Sequence, residues 1–164
     1  MKVEFVNPFI QPAREVLESE LGSQSERGEL RLQKSACTTD EVTAVVGVTG
    51  TVSGLVLYSM SQTTALGIVS RVMGKSFSDF DDLAQSGIGE LGNVITGRAG
   101  VLLAEAGYPS NITPPALVIG AGTMITTLDL NRLVFPLHSE VGTLEIQVVL
   151  KESVAGAVPN VLAA

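Results

Sequence analysis

From Phe80 to about Ala106 the chain runs without a proline, and Ala84, Ile88, Leu91, Ile95, Ala99, Leu102 and Ala106 fall in one stripe on a 100° wheel. The pattern predicts the longest element of the chain, a helix of about 40 Å at a rise of 1.5 Å per residue. Its apolar stripe has to be buried, and the surface that receives it is predicted to be a sheet. Glu90 and Asn93 fall away from that stripe.

The sheet is legible on both sides of this helix. Val42 to Thr49 and Val52 to Met60 are β-branched runs joined at Gly50-Thr51, which predicts an antiparallel hairpin near the centre of a sheet. Ala116 to Ile119, Leu133 to Leu137 and Leu144 to Leu150 read as further strands, with Val141-Gly142 turning between the last two. In the last, Leu144, Ile146, Val148 and Leu150 form one face, and Glu145, Gln147 and Lys151 the other. Pro136 favours an edge or a bulge in its strand. Leu30 and Leu32 alternate with Arg31 and Gln33 as a short strand with one solvated face, preceded by a loop from Ser23 to Gly28.

Two shorter helices complete the expected elements. Phe9, Ala13, Val16, Leu17 and Leu21 recur at helical spacing before Gly22. Gln62 to Met73 repeats the pattern before Gly74, with Leu66, Val69 and Val72 or Met73 facing inward. The fold class expected is α+β in two layers, an antiparallel sheet of about six strands in mixed order packed by one long and two shorter helices. One domain is expected over residues 1–164, with its core at about 5–151 and a fraying tail at 152–164.

Composition narrows the function classes. Hydrophobic residues make up 45% and charged residues 16%, with aromatics at 4% and no Trp, so a core of Val, Leu, Ile and Ala is expected. The net charge of −7 disfavours nucleic acid and anionic membrane surfaces, while a partner with a local basic patch remains compatible. The single cysteine, Cys37, forms neither an internal disulfide nor a Cys-rich metal site, and no run of apolar residues is long enough for a signal segment or a span. A cytoplasmic location is the expectation, with no metal site and no cofactor bound by this chain.

Within the long helix, Ser86 to Gly100 contains five glycines, each disfavoured in a helix by up to about 1 kcal/mol relative to Ala. Ser86, Glu90, Asn93, Gly97 and Gly100 share one broad side, so two polar groups project from a face with little bulk, open to close approach by another backbone. Glu90 and Asn93, three residues apart, have Cβ atoms roughly 5–6 Å from one another. One group is placed to anchor a partner while the other reaches a reacting centre. Spacing alone leaves the ordinary reading, two solvated helix residues, ahead.

Glu90-Leu91-Gly92-Asn93-Val94-Ile95-Thr96-Gly97 resembles the Glu-x-x-Asn-x-x-x-Gly signature of the CheX/CheC family of chemotaxis response-regulator phosphatases. Val6 to Ile10, the hairpin segment Val45 to Val56, and Pro115 to Gly120 are similar to the family as well, so the resemblance covers about residues 5–151. Members of the CheC type carry two such motifs. Here the first helix has Glu15-Val16-Leu17-Glu18 with no Asn, which looks more like the CheX branch. The chain departs from the family pattern at Val94, where Met is usual, and at Gly89 and Gly92, where bulkier residues are common.

The resemblance implies hydrolysis of the aspartyl phosphate of a CheY-like response regulator. Asn93 would orient the attacking water and Glu90 would anchor the receiver through its Lys, with Ser86, Gly97 and Gly100 on the partner-binding face. Mg²⁺ is expected in the receiver domain, and a homodimer is implied. The alternative is a noncatalytic receiver-binding or structural dimeric signalling module built on the same helix.

Other residues carry less. His138 is the only histidine and stands in a predicted strand without an accompanying triad. Gly47, Gly50 and Gly54 lack the Lys-Ser/Thr end and following helix of a phosphate loop. Asp79, Asp81 and Asp82 are accounted for by the dipole at a helix start.

Overall fold

The computed structural model describes residues 1–154. A 3₁₀ turn at Val3–Phe5 leads into α1 (Asn7–Leu21), whose buried residues include Phe9, Ala13, Val16, Leu17 and Leu21 as the periodicity predicts. Two long strands, β4 (Val42–Gly50) and β5 (Val52–Met60), form the expected hairpin, preceded by the short β1 (Glu26–Arg27), β2 (Arg31–Gln33) and β3 (Ala36–Thr38). There follow α2 (Gln62–Met73) and α3 (Asp82–Glu105). The chain continues through β6 (Ser110–Ile112), β7 (Ala116–Ile119), β8 (Met124–Thr126), β9 (Arg132–Ser139) and β10 (Gly142–Glu152). The α+β class expected from the sequence is the one observed.

Among the described residues every strand pairing is antiparallel. The main sheet follows the order β1-β9-β10-β5-β4-β6, with β2 also on β9 and β7 also on β4, so its six positions are filled by eight segments. β5 is the spine, held by β4 from Val42↔Met60 to Val48↔Gly54 and by β10 from Glu145↔Ser59 to Glu152↔Val52. The helices cover one face, where Val42, Ala44, Val46, Val56, Tyr58, Ile146 and Val148 join Ile88, Ile95 and Ala99 of α3 in one core. On the opposite face β3 and β8 pair with each other as a separate ribbon.

Several expectations are corrected. The loop expected at Ser23 to Gly28 contains β1, which pairs with Leu137 and His138. Leu30 packs against the core, but Leu32 is 62% exposed. The inward face of α2 is Ala65, Ile68 and Val69; Leu66 is half-buried and Val72 is 42% exposed. The last turns of α3 are seated by Leu103, with Leu102 only half-buried and Ala106 exposed. Pro136 lies between the stretches of β9 that pair with β1 and β2, a local break that tolerates its missing N–H. Pairing of β10 continues to Glu152, and the Ser153 N–H donates to Thr51 O at 2.8 Å, so order persists into the expected tail. The remainder of that tail, residues 155–164, lies outside the described residues.

The face of β10 read as polar is also partly buried. Arg132 is 2% exposed, and its guanidinium donates to Ala36 O (2.8 Å), Gln147 Oε1 (2.9 Å), Lys34 O (3.0 Å) and Gln33 Oε1 (3.4 Å). A buried cation is tolerable when its N–H groups are satisfied in this way, and here it ties the β2–β3 segment to the back of the sheet.

Gly54 sits where β4, β5 and β10 meet, at φ +152°, and a Cβ there would collide with the Val149 backbone carbonyl. Gly100, by contrast, has open space around its missing Cβ. Gly54→Ala is expected to lower stability by more than about 2 kcal/mol, and Gly100→Ala to raise it by up to about 1 kcal/mol. Urea unfolding of the two variants checks both signs.

Candidate functional site

Helix α3 begins at Asp81, whose side chain accepts from the Ala84 N–H at 2.9 Å and caps the orphan amides of the first turn. This accounts for one of the three aspartates at the helix start, and no cluster of His, Cys, Asp and Glu fit to hold a metal occurs among the described residues. His138 Nδ1 is occupied by Thr143 Oγ1 at 3.0 Å. Cys37 is half-buried in the ribbon strand β3.

Depth in the fold is set by the middle of α3. A Cβ on Gly92 would lie 3.1 Å from Tyr58 Cδ2 and 3.6 Å from Ala44 Cβ, so the absence of a side chain lets the helix backbone settle onto β4 and β5. Thr96 Oγ1 donates to Gly92 O at 2.7 Å and stands 2.7 Å from the Tyr58 hydroxyl. Because the one Thr96 proton is given to Gly92 O, Tyr58 is the donor in the second bond. Burial pushes the Tyr58 hydroxyl well above its ordinary pKa, with the Thr96 bond opposing only partly, so it stays a neutral donor. Tyr58 and Thr96 are positioning residues that sequence reasoning missed. Their pairing joins residues 38 apart and left no local signal.

The glycines of α3 therefore divide into two groups. Gly87 meets Met73 and Val69 of α2 at 3.0 Å, Gly92 meets Tyr58, and Gly89 lies under Pro115 at 3.5 Å. Gly97 is 3.9 Å from Ile112 Cδ1, and among the described residues Gly100 has nothing within 4 Å. Of the residues expected on the outward side, Ser86 and Glu90 are exposed, and Asn93, Gly97 and Gly100 are half-buried. The structure brings these five together on the side of α3 opposite Ile88, Ile95 and Ala99, with Asn93 less exposed than Glu90. Among the described residues neither side chain is in an ion pair or a hydrogen bond with another protein group.

Depressions lie on both sides of Glu90. Toward α1 and α2 there is an apolar groove of about 230 Å³, walled by Val16, Val72, Met73, Leu91 and Val94, with Glu20 and Glu90 on its rim. Toward β7 a more polar hollow is bounded by Asp82, Gln85, Ser86, Gly89 and Pro115. On α1, Glu18 accepts from the Ser25 N–H (2.8 Å) and hydroxyl (3.0 Å) and from Arg14 Nε (3.1 Å). The Ser25 bonds, aided by Arg14, hold its carboxyl below the usual carboxylate value. Glu15 is bonded to Gln11 at 2.6 Å. The two glutamates of α1 are thus engaged locally, while among the described residues Glu90 and Asn93 of α3 present an unpaired carboxylate beside an unpaired amide.

A family model described as chemotaxis phosphatase CheX matches residues 42–138, which contain the whole of α3 with Glu90 and Asn93. The chain belongs to the CheX family. The CheY-P phosphatase CheX of Thermotoga maritima is 35% identical over 121 residues, covering 73% of this chain and 78% of that protein. A CheC-like superfamily protein from Shewanella sp. PV-4 superposes with a TM-score of 0.82 at 26% identity, over 92% of this chain and 99% of the other. A chain of the CheX–CheY–BeF₃–Mg²⁺ complex from Borrelia burgdorferi gives a TM-score of 0.80 at 26% identity, over 92% of this chain and 100% of that one. The CheX fold thus carries its glycine-rich helix here with the apolar side down.

Tyr58→Phe keeps the ring against Gly92 and removes only the donor to Thr96. It is expected to lower stability by about 1 kcal/mol, a fall in Tm of about 2–4 °C, with the m-value unchanged. Calorimetry with urea titration checks this.

Proposed function

We propose that this protein hydrolyses the aspartyl phosphate of a CheY-like response regulator, with Asn93 orienting the attacking water and Glu90 anchoring the receiver. The observation that carries the reading is the free carboxylate and free amide, three residues apart on the outward side of a helix pinned to the sheet. Membership of a chemotaxis phosphatase family and 35% identity to a CheY-P phosphatase supply the substrate class.

The chemistry asks little covalent work of this chain. Water attacks phosphorus, the bond between phosphorus and the aspartyl oxygen breaks, and inorganic phosphate leaves a free carboxylate on the receiver. Such transfer depends chiefly on alignment and charge stabilisation. A side-chain amide both accepts and donates hydrogen bonds, so Asn93 accepts a proton contact from the water while its NH₂ faces a phosphoryl oxygen. Glu90 accepts a charge-assisted hydrogen bond from a lysine of the receiver and sets the register of docking. Ser86, Gly97 and Gly100 form the low ground around the pair. Mg²⁺ belongs to the receiver in this scheme, and this chain binds no cofactor.

A cytoplasmic homodimer goes with this reading. No helix among the described residues is long and apolar enough to cross a membrane. The net charge of −7 suits a protein partner with local basic groups.

The test is the decay of a phosphorylated CheY-like receiver. Wild-type protein is expected to accelerate it, and Asn93→Ala to reduce that acceleration by about 100-fold or more with receiver binding retained. Binding without acceleration by the wild type would leave the noncatalytic module instead. Glu90→Lys is expected to raise KM by at least about 10-fold through like-charge contact with the receiver lysine, and an unchanged KM would remove its anchoring role. Size-exclusion chromatography with light scattering reads the oligomeric state.

A further inference from the structure

The apolar groove beside Glu90 has a wall and a rim of different chemistry. Its wall is contributed by three helices, Val16 from α1, Val72 and Met73 from α2, and Leu91 and Val94 from α3. Among the described residues no basic residue lines it, and the two charged groups on it are the carboxylates of Glu20 and Glu90, both exposed. Val72 is 42% exposed, an apolar side chain held in water although Ala65, Ile68 and Val69 already bury the inner face of its helix.

Size separates the kinds of occupant. At about 230 Å³ the groove falls below the roughly 300–1,000 Å³ common for small-molecule sites. It suits a protruding side chain better than a whole metabolite. Charge narrows the choice further, because an apolar wall between two carboxylates favours an apolar group flanked by cations and repels an acidic segment. Continuity narrows it again, since Glu90 and Ser86 border the groove and also belong to the outward side that carries Asn93.

We infer that this groove is a specificity pocket for the receiver, taking one apolar side chain that stands beside a basic residue on the docking surface. The inference rests on the phosphatase reading and deepens it. Glu90 meets the lysine at the phosphorylation site, the apolar side chain enters between Val16, Val72 and Val94, and Glu20 meets a second basic group on the far rim. Discrimination among receivers then lies on α1 and α2, away from the residue that orients water.

The test compares steady-state decay of the CheY-like receiver that the wild-type protein dephosphorylates. Glu20→Lys reverses the far rim, Val72→Gln replaces an apolar wall by a neutral amide, and Glu105→Lys applies the same charge change at the opposite end of α3. Glu20→Lys is expected to raise KM by about 10-fold and Val72→Gln by about 5-fold, with kcat within about twofold of wild type and unfolding midpoints unchanged. Glu105→Lys is expected to leave KM within about twofold. Added salt should raise the wild-type KM, and less so for Glu20→Gln.

Unchanged KM in both groove variants, with an active wild type, overturns the pocket and leaves the phosphatase reading standing. An equal rise with Glu105→Lys also overturns it, since net charge alone would then explain the effect. Absence of accelerated decay with the wild type overturns the phosphatase reading itself, and the pocket with it.

Discussion

The seat of α3 on Tyr58 is the contact on which the rest depends. Gly92 offers backbone where any other residue would place a Cβ at 3.1 Å from the Tyr58 ring, so the helix lies close to the sheet. The Tyr58 hydroxyl then reaches Thr96, and Thr96 reaches the Gly92 carbonyl, each at 2.7 Å. A buried hydrogen-bonded chain of this kind resists rotation of the helix about its axis, because turning it would leave polar groups unpaired. Glu90 and Asn93 flank that seat on the opposite side of the helix. Their orientation is therefore inherited from a packing contact that neither makes.

This arrangement puts Glu90 and Asn93 on a rigid element and not on a loop, which favours the precise geometry that the proposed alignment of water by Asn93 requires. It also explains the glycines. Their helix-propensity penalty is offset where they permit close packing, against Tyr58 at Gly92 and against α2 at Gly87. The looser glycines, Gly97 and Gly100, lie on the outward side, where they keep the surface low around the pair. The departure from the family pattern at Gly92 thus has a structural reason within the fold, whereas a Cβ at Gly89 would meet Pro115 only at ordinary contact distance, 3.5 Å.

What was legible in the sequence followed from periodicity. The inner faces of α1 and of the β4–β5 hairpin, the central part of the α3 stripe and the β9–β10 hairpin all carry side-chain patterns long enough to declare their geometry. The short strands β1, β3, β6 and β8 do not. Two or three residues of backbone pairing leave no readable alternation, and their sites are set by the strands they join. Hydrophobicity alone does not select the inward side of α2, because Leu66 and Val72 are as apolar as the buried Ile68 and Val69. The buried face around Arg132 and Gln147 was hidden for a related reason, as both are residue types ordinarily found in water.

The long helix α3, the acidic character of its start, the outward placement of Glu90 and Asn93 and the α+β class were determined by local composition and spacing alone. These depend on neighbours within a few residues. Which glycine is a seat and which is open ground was decided only by the tertiary structure, as were the Tyr58–Thr96–Gly92 chain, the engagement of Glu18 by Ser25 and the groove walled by three helices. Each of these depends on distances between segments remote in sequence, and such distances are set when the sheet and helices close on one another.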